Sequence, residues 1–400
     1  MNPNLKSAML AAAQLTAAGN LNAATQAIQR ALGGDLPSAS ASSPFAGATR
    51  AAEPDRVIDV EARWVDDLQA RLSEVARDAQ SAFGAGMLRE AGQERPAADA
   101  SPSERSGAEQ MQAGRFTAAA GSRDYLLYVP AQARAGSAGP MPLVVMLHGC
   151  TQTPADFATG TAMNELADRH GFVVLYPGQS KTANHSACWN WFEPRDQRAG
   201  QGEPSIIAGM VRDVIGRYPI APERVFVAGL SAGGAMAAIL GAAYPELFSA
   251  VAVHSGLPVG AAHDLQSALA AMKRGASPQA AAAGGRRSDA ASRRPVRTIV
   301  FHGRQDRMVH PANGGQVVDA ALAGFPKDTL SARQESARSP GGRSFVRTIH
   351  ADDRGVAMVE QWEVQGAGHA WSGGRPSGSY TDRAGPDASA AMAAFFLAGR

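Results

Sequence analysis

Ser231 lies in Gly229-Leu230-Ser231-Ala232-Gly233, a Gly-x-Ser-x-Gly pentapeptide. Small residues on either side permit the sharp, strained turn that lifts a serine hydroxyl off the end of a strand and onto the start of a helix. The apolar run Val225-Phe226-Val227-Ala228 precedes the turn and an Ala-rich stretch from Gly234 to Ala243 follows it, which is the strand-turn-helix context such a nucleophile needs. Taken alone, the pentapeptide also describes an ordinary glycine-rich turn. A serine hydroxyl is a poor nucleophile at neutral pH. It requires a base, an acid to orient that base, and two N–H donors for the developing oxyanion.

Partners of the right type follow in the right order. In an α/β-hydrolase the chain order is Ser, then Asp or Glu, then His, each on a loop past a strand end. The apolar run Thr298 to Phe301 leads into His302-Gly303-Arg304-Gln305-Asp306, which puts Asp306 just past a strand end. Asp264, Asp319, Asp352 and Asp353 compete, but none directly follows a strand of buried type. For the base, His369 in Gly366-Ala367-Gly368-His369-Ala370-Trp371 combines a late position, a glycine-rich loop and a preceding strand. His254, His263, His302, His310 and His350 are its rivals. The oxyanion donors are expected to be the amides of Ala232, directly after the nucleophile, and of Cys150, in the turn after Leu143 to Leu147. His148 in that turn reads as a brace for the loop.

These residues need a scaffold that brings strand ends together. Strands are expected at Leu143 to Leu147, Phe172 to Tyr176, Val225 to Ala228, Ala250 to His254 and Thr298 to Phe301, with helices near Asp156 to His170, Ser205 to Tyr218 and Ala232 to Tyr244. Short, almost wholly apolar strands alternating with helices predict a mostly parallel central sheet with helices on both faces. A hairpin of Arg115 to Ala119 and Asp124 to Pro130 about Gly121-Ser122 precedes this core. Strands at Phe345 to Ile349 and Val356 to Val364 and a helix from Ala388 to Leu397 complete it. Lys273 to Arg294 and Leu330 to Gly342 show no periodicity and read as insertions.

The catalytic domain is expected over residues 114–400. Ahead of it, residues 1–34 read as a helical hairpin, 35–56 as a linker, 57–83 as a helix with Val60, Trp64, Leu68, Leu72 and Val75 on one face, and 84–113 as a flexible linker. The hairpin is either a small satellite helix pair, the favoured reading, or a docking element.

The formal net charge of +2 among 400 residues, with no basic stripe interleaved with aromatics, gives no reason to expect nucleic acid as a partner. No run reaches the length of a transmembrane span. The N-terminal Ala-rich stretch after Lys6 only loosely imitates a secretory signal, because Gln14 and Thr16 interrupt it. A cytoplasmic location is slightly favoured on that ground, with an extracellular one as the alternative. Cys150 and Cys188 fit no zinc pattern and are either one disulfide or two buried thiols.

Four motifs stand together in one chain: Leu147-His148-Gly149-Cys150-Thr151-Gln152, Cys188-Trp189-Asn190-Trp191-Phe192, Gly229-Leu230-Ser231-Ala232-Gly233-Gly234 and Gly368-His369-Ala370-Trp371-Ser372-Gly373-Gly374. Over roughly residues 120–400 the chain resembles the polyhydroxybutyrate depolymerase family of esterases, which includes feruloyl and acetyl xylan esterases. The resemblance implies Ser231 as nucleophile, Asp306 as acid, His369 as base and a Cys150–Cys188 disulfide. It implies an ester or polyester substrate and neither metal nor organic cofactor. Trp189, Trp191 and Trp371 are expected either to wall an acyl pocket or to pack the core, with the pocket favoured for Trp371. The family's secreted depolymerases carry a signal peptide and a C-terminal polymer-binding module, whereas this chain has a helical N-terminal extension. Oligomers, amorphous polyester or small esters are accordingly expected over crystalline polymer. The N-terminal helices would serve self-association or contact with a polymer granule.

Overall fold

The computed structural model describes residues 111–131, 139–277 and 295–398. The expectations for residues 1–110, including the hairpin, both linkers up to that point and the helix at 57–83, lie outside the described residues.

Ten strands form one sheet. In chain order they are β1 (Met111–Ala118), β2 (Gly121–Tyr128), β3 (Met141–Leu147), β4 (Val173–Pro177), β5 (Ile220–Leu230), β6 (Ala250–His254), β7 (Arg297–Gly303), β8 (Ser331–Arg338), β9 (Ser344–Ala351) and β10 (Ala357–Val364). The spatial order is β1-β2-β4-β3-β5-β6-β7-β10-β9-β8. The six central strands, β4 to β10 in that order, run parallel. An antiparallel hairpin closes each edge.

Helices cover both faces. They are α1 (Pro154–Thr161), α2 (Met163–His170), α3 (Gly202–Arg217), α4 (Ala232–Ala243), α5 (Leu265–Arg274), α6 (Ala312–Leu322) and α7 (Ala388–Ala398). Successive strand residues point to opposite faces, and the two faces fill two separate cores. Leu143, Val145, Val225, Val227 and Val251 pack against Ile207 and Val211 of α3 and Met236 and Leu240 of α4. Their neighbours Val144, Met146, Phe226 and Ala252 pack against Phe157 of α1, Leu166 of α2 and Phe396 of α7. The parallel strands read as unbroken apolar runs for this reason: every side chain finds a covered face.

Three departures from the sequence reading have local causes. The helix expected over Asp156 to His170 is two helices, because Ala162 takes a left-handed φ of 50° that ends α1 and starts α2. The first hairpin turns at Ala119-Ala120 rather than at Gly121-Ser122, since Gly121, at φ 130°, already opens β2 and pairs with Ala118. Most instructive is β8, which occupies the segment read as an aperiodic insertion. All eight of its residues, Ser-Ala-Arg-Gln-Glu-Ser-Ala-Arg, are exposed. An edge strand held through its backbone to β9 needs no apolar face, and its charges deter pairing with another sheet. The other proposed insertion is described only at its start, where Lys273 and Arg274 end α5.

Candidate active site

Because β3, β5, β7 and β10 are parallel, their carboxyl ends share one edge of the sheet. Ser231 follows β5 directly, Asp306 lies three residues past β7, His369 five past β10, and Cys150 three past β3. Ligands bind at this end of open α/β sheets.

Ser231 has φ 58° and ψ −119°, a left-handed conformation that strains any residue with a Cβ. Its amide donates to the His254 carbonyl at 2.9 Å, and its carbonyl accepts from Ala235 in the first turn of α4. The flanking glycines are required by contact. A Cβ on Gly229 would strike the Gly233 carbonyl, and one on Gly233 would strike the Leu147 and His148 carbonyls at the end of β3. This close approach packs the turn after β3 against the serine: a Cβ on Gly149 would lie 3.6 Å from that of Ser231.

Asp306 and His369 are brought together. His369 Nδ1 lies 2.7 Å from Asp306 Oδ2, while Asp306 Oδ1 accepts from the Met308 and Val309 amides, both at 2.9 Å. The two loops are also laced through their backbones, with the Gln305 amide on the Ala367 carbonyl at 2.9 Å. Burial works against the Asp306 charge, but the neighbouring imidazoles of His302 and His369 and the Val309 amide outweigh it and hold the carboxyl well below the ordinary carboxylate range. An ionised acid on Nδ1 keeps the imidazole proton there and leaves Nε2 free to take a proton.

Two of the rival histidines and two of the rival acids have other work. His254, fully buried, accepts at Nε2 from the Ser372 amide at 3.0 Å, and its own carbonyl receives Ser231. It thereby couples the turn of Ser231 to the loop of His369. His302 donates from Nε2 to the Val309 carbonyl at 2.8 Å and sits 3.5 Å from Asp306 Oδ2. Asp264 caps α5, accepting from the Ser267 amide. Asp352 closes a turn through the amides of Arg354 and Val356.

His148 braces its loop with both ring nitrogens. Nδ1 donates to the Gly149 carbonyl at 2.8 Å and Nε2 accepts from the Gln179 amide at 3.0 Å. Gln152 Oε1 takes the Gly149 amide at 2.9 Å. Cys150 and Cys188 are joined in a disulfide that ties this loop to the Trp-bearing loop. Behind that loop stands buried Glu203, unforeseen from the sequence, where it is only one acid at the head of an apolar helix. It accepts from the Asn190 amide at 2.7 Å, Asn190 Nδ2 at 2.9 Å and Arg123 at 3.1 Å. Burial pushes its carboxyl up, against the lowering effect of bonds from Gln179 and Asn190.

Of the two readings of the tryptophans, burial supports packing in the core. Trp189, Trp191 and Trp371 are 0%, 5% and 1% exposed. Trp189 donates its indole N–H to the His148 carbonyl at 3.1 Å, and Trp371 donates to Ser389 while packing between Phe157 and His254. Trp189 and Trp371, large rings with an N–H satisfied inside the protein, are framework.

Burial lowers the pKa of His148, and that of His254 to about 3, against the ordinary imidazole value of 6.5. Neutral imidazoles are therefore favoured in the folded state. The stability they contribute is complete above 6.5 and is lost as pH falls below it, for His254 down to about 3. Thermal unfolding should show Tm level in neutral buffer and declining as pH drops below about 6.5. A Tm unchanged down to about pH 4 would contradict the neutral-histidine bracing.

Fold and site together define the chain as an α/β-hydrolase. The family described as esterase PHB depolymerase matches residues 123–339, more than half of the chain, and the chain belongs to this family. The matched segment includes Ser231 and Asp306 and ends before His369. Among curated relatives, "Poly(3-hydroxyalkanoate) depolymerase C" of Paucimonas lemoignei is 33% identical over 262 residues, 64% of this chain and 61% of that protein. "Feruloyl esterase B" of Neurospora crassa is 40% identical over 116 residues, 29% of this chain and 39% of that one. The chain thus spans less than two thirds of the length of either. Among solved structures, an acetyl xylan esterase from Aspergillus awamori superposes with a TM-score of 0.52 at 24% identity, over 62% of this chain and 89% of that one, a likeness of fold. Among the described residues no helix is long and apolar enough to cross a membrane.

Proposed function

We propose that the protein is a serine carboxylic-ester hydrolase that cleaves short-chain polyhydroxyalkanoate polyester or its oligomers through an acyl-enzyme. The observation that carries this reading is the 2.7 Å contact of His369 with Asp306 on loops at the same sheet edge as a serine in a left-handed turn. Ser231 attacks the ester carbonyl as His369 Nε2 takes its proton. The Asp306 carboxylate stabilises the imidazolium without itself being protonated. Negative charge on the carbonyl oxygen is met by the amides of Ala232, at the positive end of α4, and Cys150. His369 returns the proton to the departing alkoxide, and water then opens the acyl-enzyme by the same route.

The substrate class follows the alignment to a poly(3-hydroxyalkanoate) depolymerase over 262 residues, although a feruloyl esterase of Thermothelomyces thermophilus aligns over 261. The second reading, a feruloyl or acetyl xylan type esterase, is supported by the higher local identity to a feruloyl esterase. A panel of polyhydroxybutyrate film, linear hydroxybutyrate oligomers, methyl ferulate and acetylated xylan separates them by kcat/KM. The highest value is expected on the hydroxybutyrate oligomers, and a higher value on methyl ferulate or acetylated xylan would reverse the assignment. Contact of the N-terminal segment with a granule or a second copy is part of the same proposal.

A further inference from the structure

With the tryptophans buried, the aromatic side chain that stands open at the site is Tyr380. It is 37% exposed and is one of three large hydrophobic side chains exposed among the described residues, with Leu265 and Met308. Two contacts place it between the loops of the oxyanion amide and the base. Its carbonyl accepts from the amide of Trp371, two residues past His369, at 2.7 Å. Its hydroxyl lies 3.3 Å from Oγ1 of Thr151, the residue after Cys150.

Both members of that hydroxyl pair are strained. Tyr380 has φ 51° and Thr151 φ 65°, each a non-glycine residue in the left-handed region, a conformation that persists only where surroundings enforce it. Those surroundings are polar and specific. The Asp156 carboxylate accepts from the Ser379 amide at 2.9 Å and from its hydroxyl at 2.5 Å. Gln152, which holds the Gly149 amide through Oε1, donates from Nε2 to the Ser379 carbonyl at 3.1 Å. One side chain thus fixes the distance between the oxyanion loop and the segment that bears Tyr380.

The hydroxyl proton of Tyr380 is only loosely engaged. Thr151 Oγ1 spends its proton on the Cys150 carbonyl at 2.6 Å, so the phenol is the donor in the longer contact. At 3.3 Å this is beyond the usual range of O–H···O bonds, and a better acceptor would displace it.

We propose that Tyr380 is a specificity-determining residue of the site: its ring packs on the aliphatic backbone of an oligoester, and its hydroxyl turns from Thr151 to donate to the carbonyl of the ester unit next to the scissile one. The inference rests on the ester-hydrolase reading above. A substrate with a single ester carbonyl cannot use this bond, whereas a chain of repeated esters can.

The test compares the full-length wild type with Tyr380→Phe and Tyr380→Ala, using p-nitrophenyl acetate and a linear trimer of 3-hydroxybutyrate methyl ester. The readout is the ratio of kcat/KM for trimer to kcat/KM for acetate. Loss of one hydrogen bond should lower the ratio about tenfold in Tyr380→Phe, mostly through KM, and loss of the ring should lower it further in Tyr380→Ala. A ratio unchanged in both variants overturns the proposal, as does a wild type that cleaves the acetate but not the trimer; the hydrolase reading survives either result. A wild type that cleaves neither ester overturns both.

Discussion

Asp306→Asn is expected to lower kcat roughly ten-thousand-fold while leaving the backbone of the site in place. The hydrogen bonds dictate how the new amide must sit. Oδ1 of Asp306 receives two backbone amides, from Met308 and Val309, so the asparagine oxygen stays there and its NH2 takes the place of Oδ2. That group then points at His369 Nδ1, 2.7 Å away, and donates to it. The imidazole is forced to carry its proton on Nε2, the nitrogen that must accept one from Ser231. Kinetics on a short p-nitrophenyl ester would show the loss in kcat, and activity within tenfold of wild type would mean that Asp306 does not orient the base. Stability responds in the same residue. Its carboxylate is held below the ordinary value of 3.8, so the charged form stabilises the fold above that value, and the contribution fades as pH falls through the lowered pKa.

Gly233→Ala is expected to destabilise the protein by about 3 kcal/mol, and to lower kcat as well. The added Cβ would meet the Leu147 carbonyl and lie 2.6 Å from that of His148. Neither retreats freely, because Leu147 is paired with Gly229 of β5 and the His148 carbonyl accepts from the Trp189 indole. Relief must come from moving the turn of Ser231 or the loop of Cys150, and displacement of about 1 Å costs on the order of a hundredfold in rate. Gly315→Ala in α6 is the control. A Cβ there meets nothing within 4 Å, and alanine raises helix propensity by up to about 1 kcal/mol. Urea midpoints should therefore fall for Gly233→Ala and hold or rise for Gly315→Ala. Equal midpoints for the two would show that the close packing of strand and turn carries no weight.

The parallel core was legible in the sequence because burial on both faces leaves each strand as a short apolar run. Ala250 to His254 agrees with the expectation to the residue, and β3, β4 and β7 agree to within two residues at either end. Strand β8 was not legible, since an exposed edge strand is specified by backbone pairing and its side chains follow no period. The meeting of Asp306 with His369, 63 residues apart, could be expected from loop order alone. What surrounds them could not. The roles of His254, Glu203 and Gln152 depend on hydrogen bonds between segments far apart in the chain, and single polar residues carry no local signature. The tryptophans show the opposite limit. A Trp beside a candidate base looks like pocket lining in one dimension, and only packing against Phe157 and His254 shows Trp371 to be core.

The central claim is that Ser231 is the nucleophile, and Ser231→Ala tests it most directly. Alanine removes one oxygen from a residue that is only partly buried, so the far-ultraviolet circular dichroism and Tm should match the wild type. Hydrolysis of a short p-nitrophenyl ester should fall by about a million-fold in kcat, to the level left by binding and the oxyanion donors. Turnover retained near the wild-type rate in a variant of unchanged fold would contradict the account.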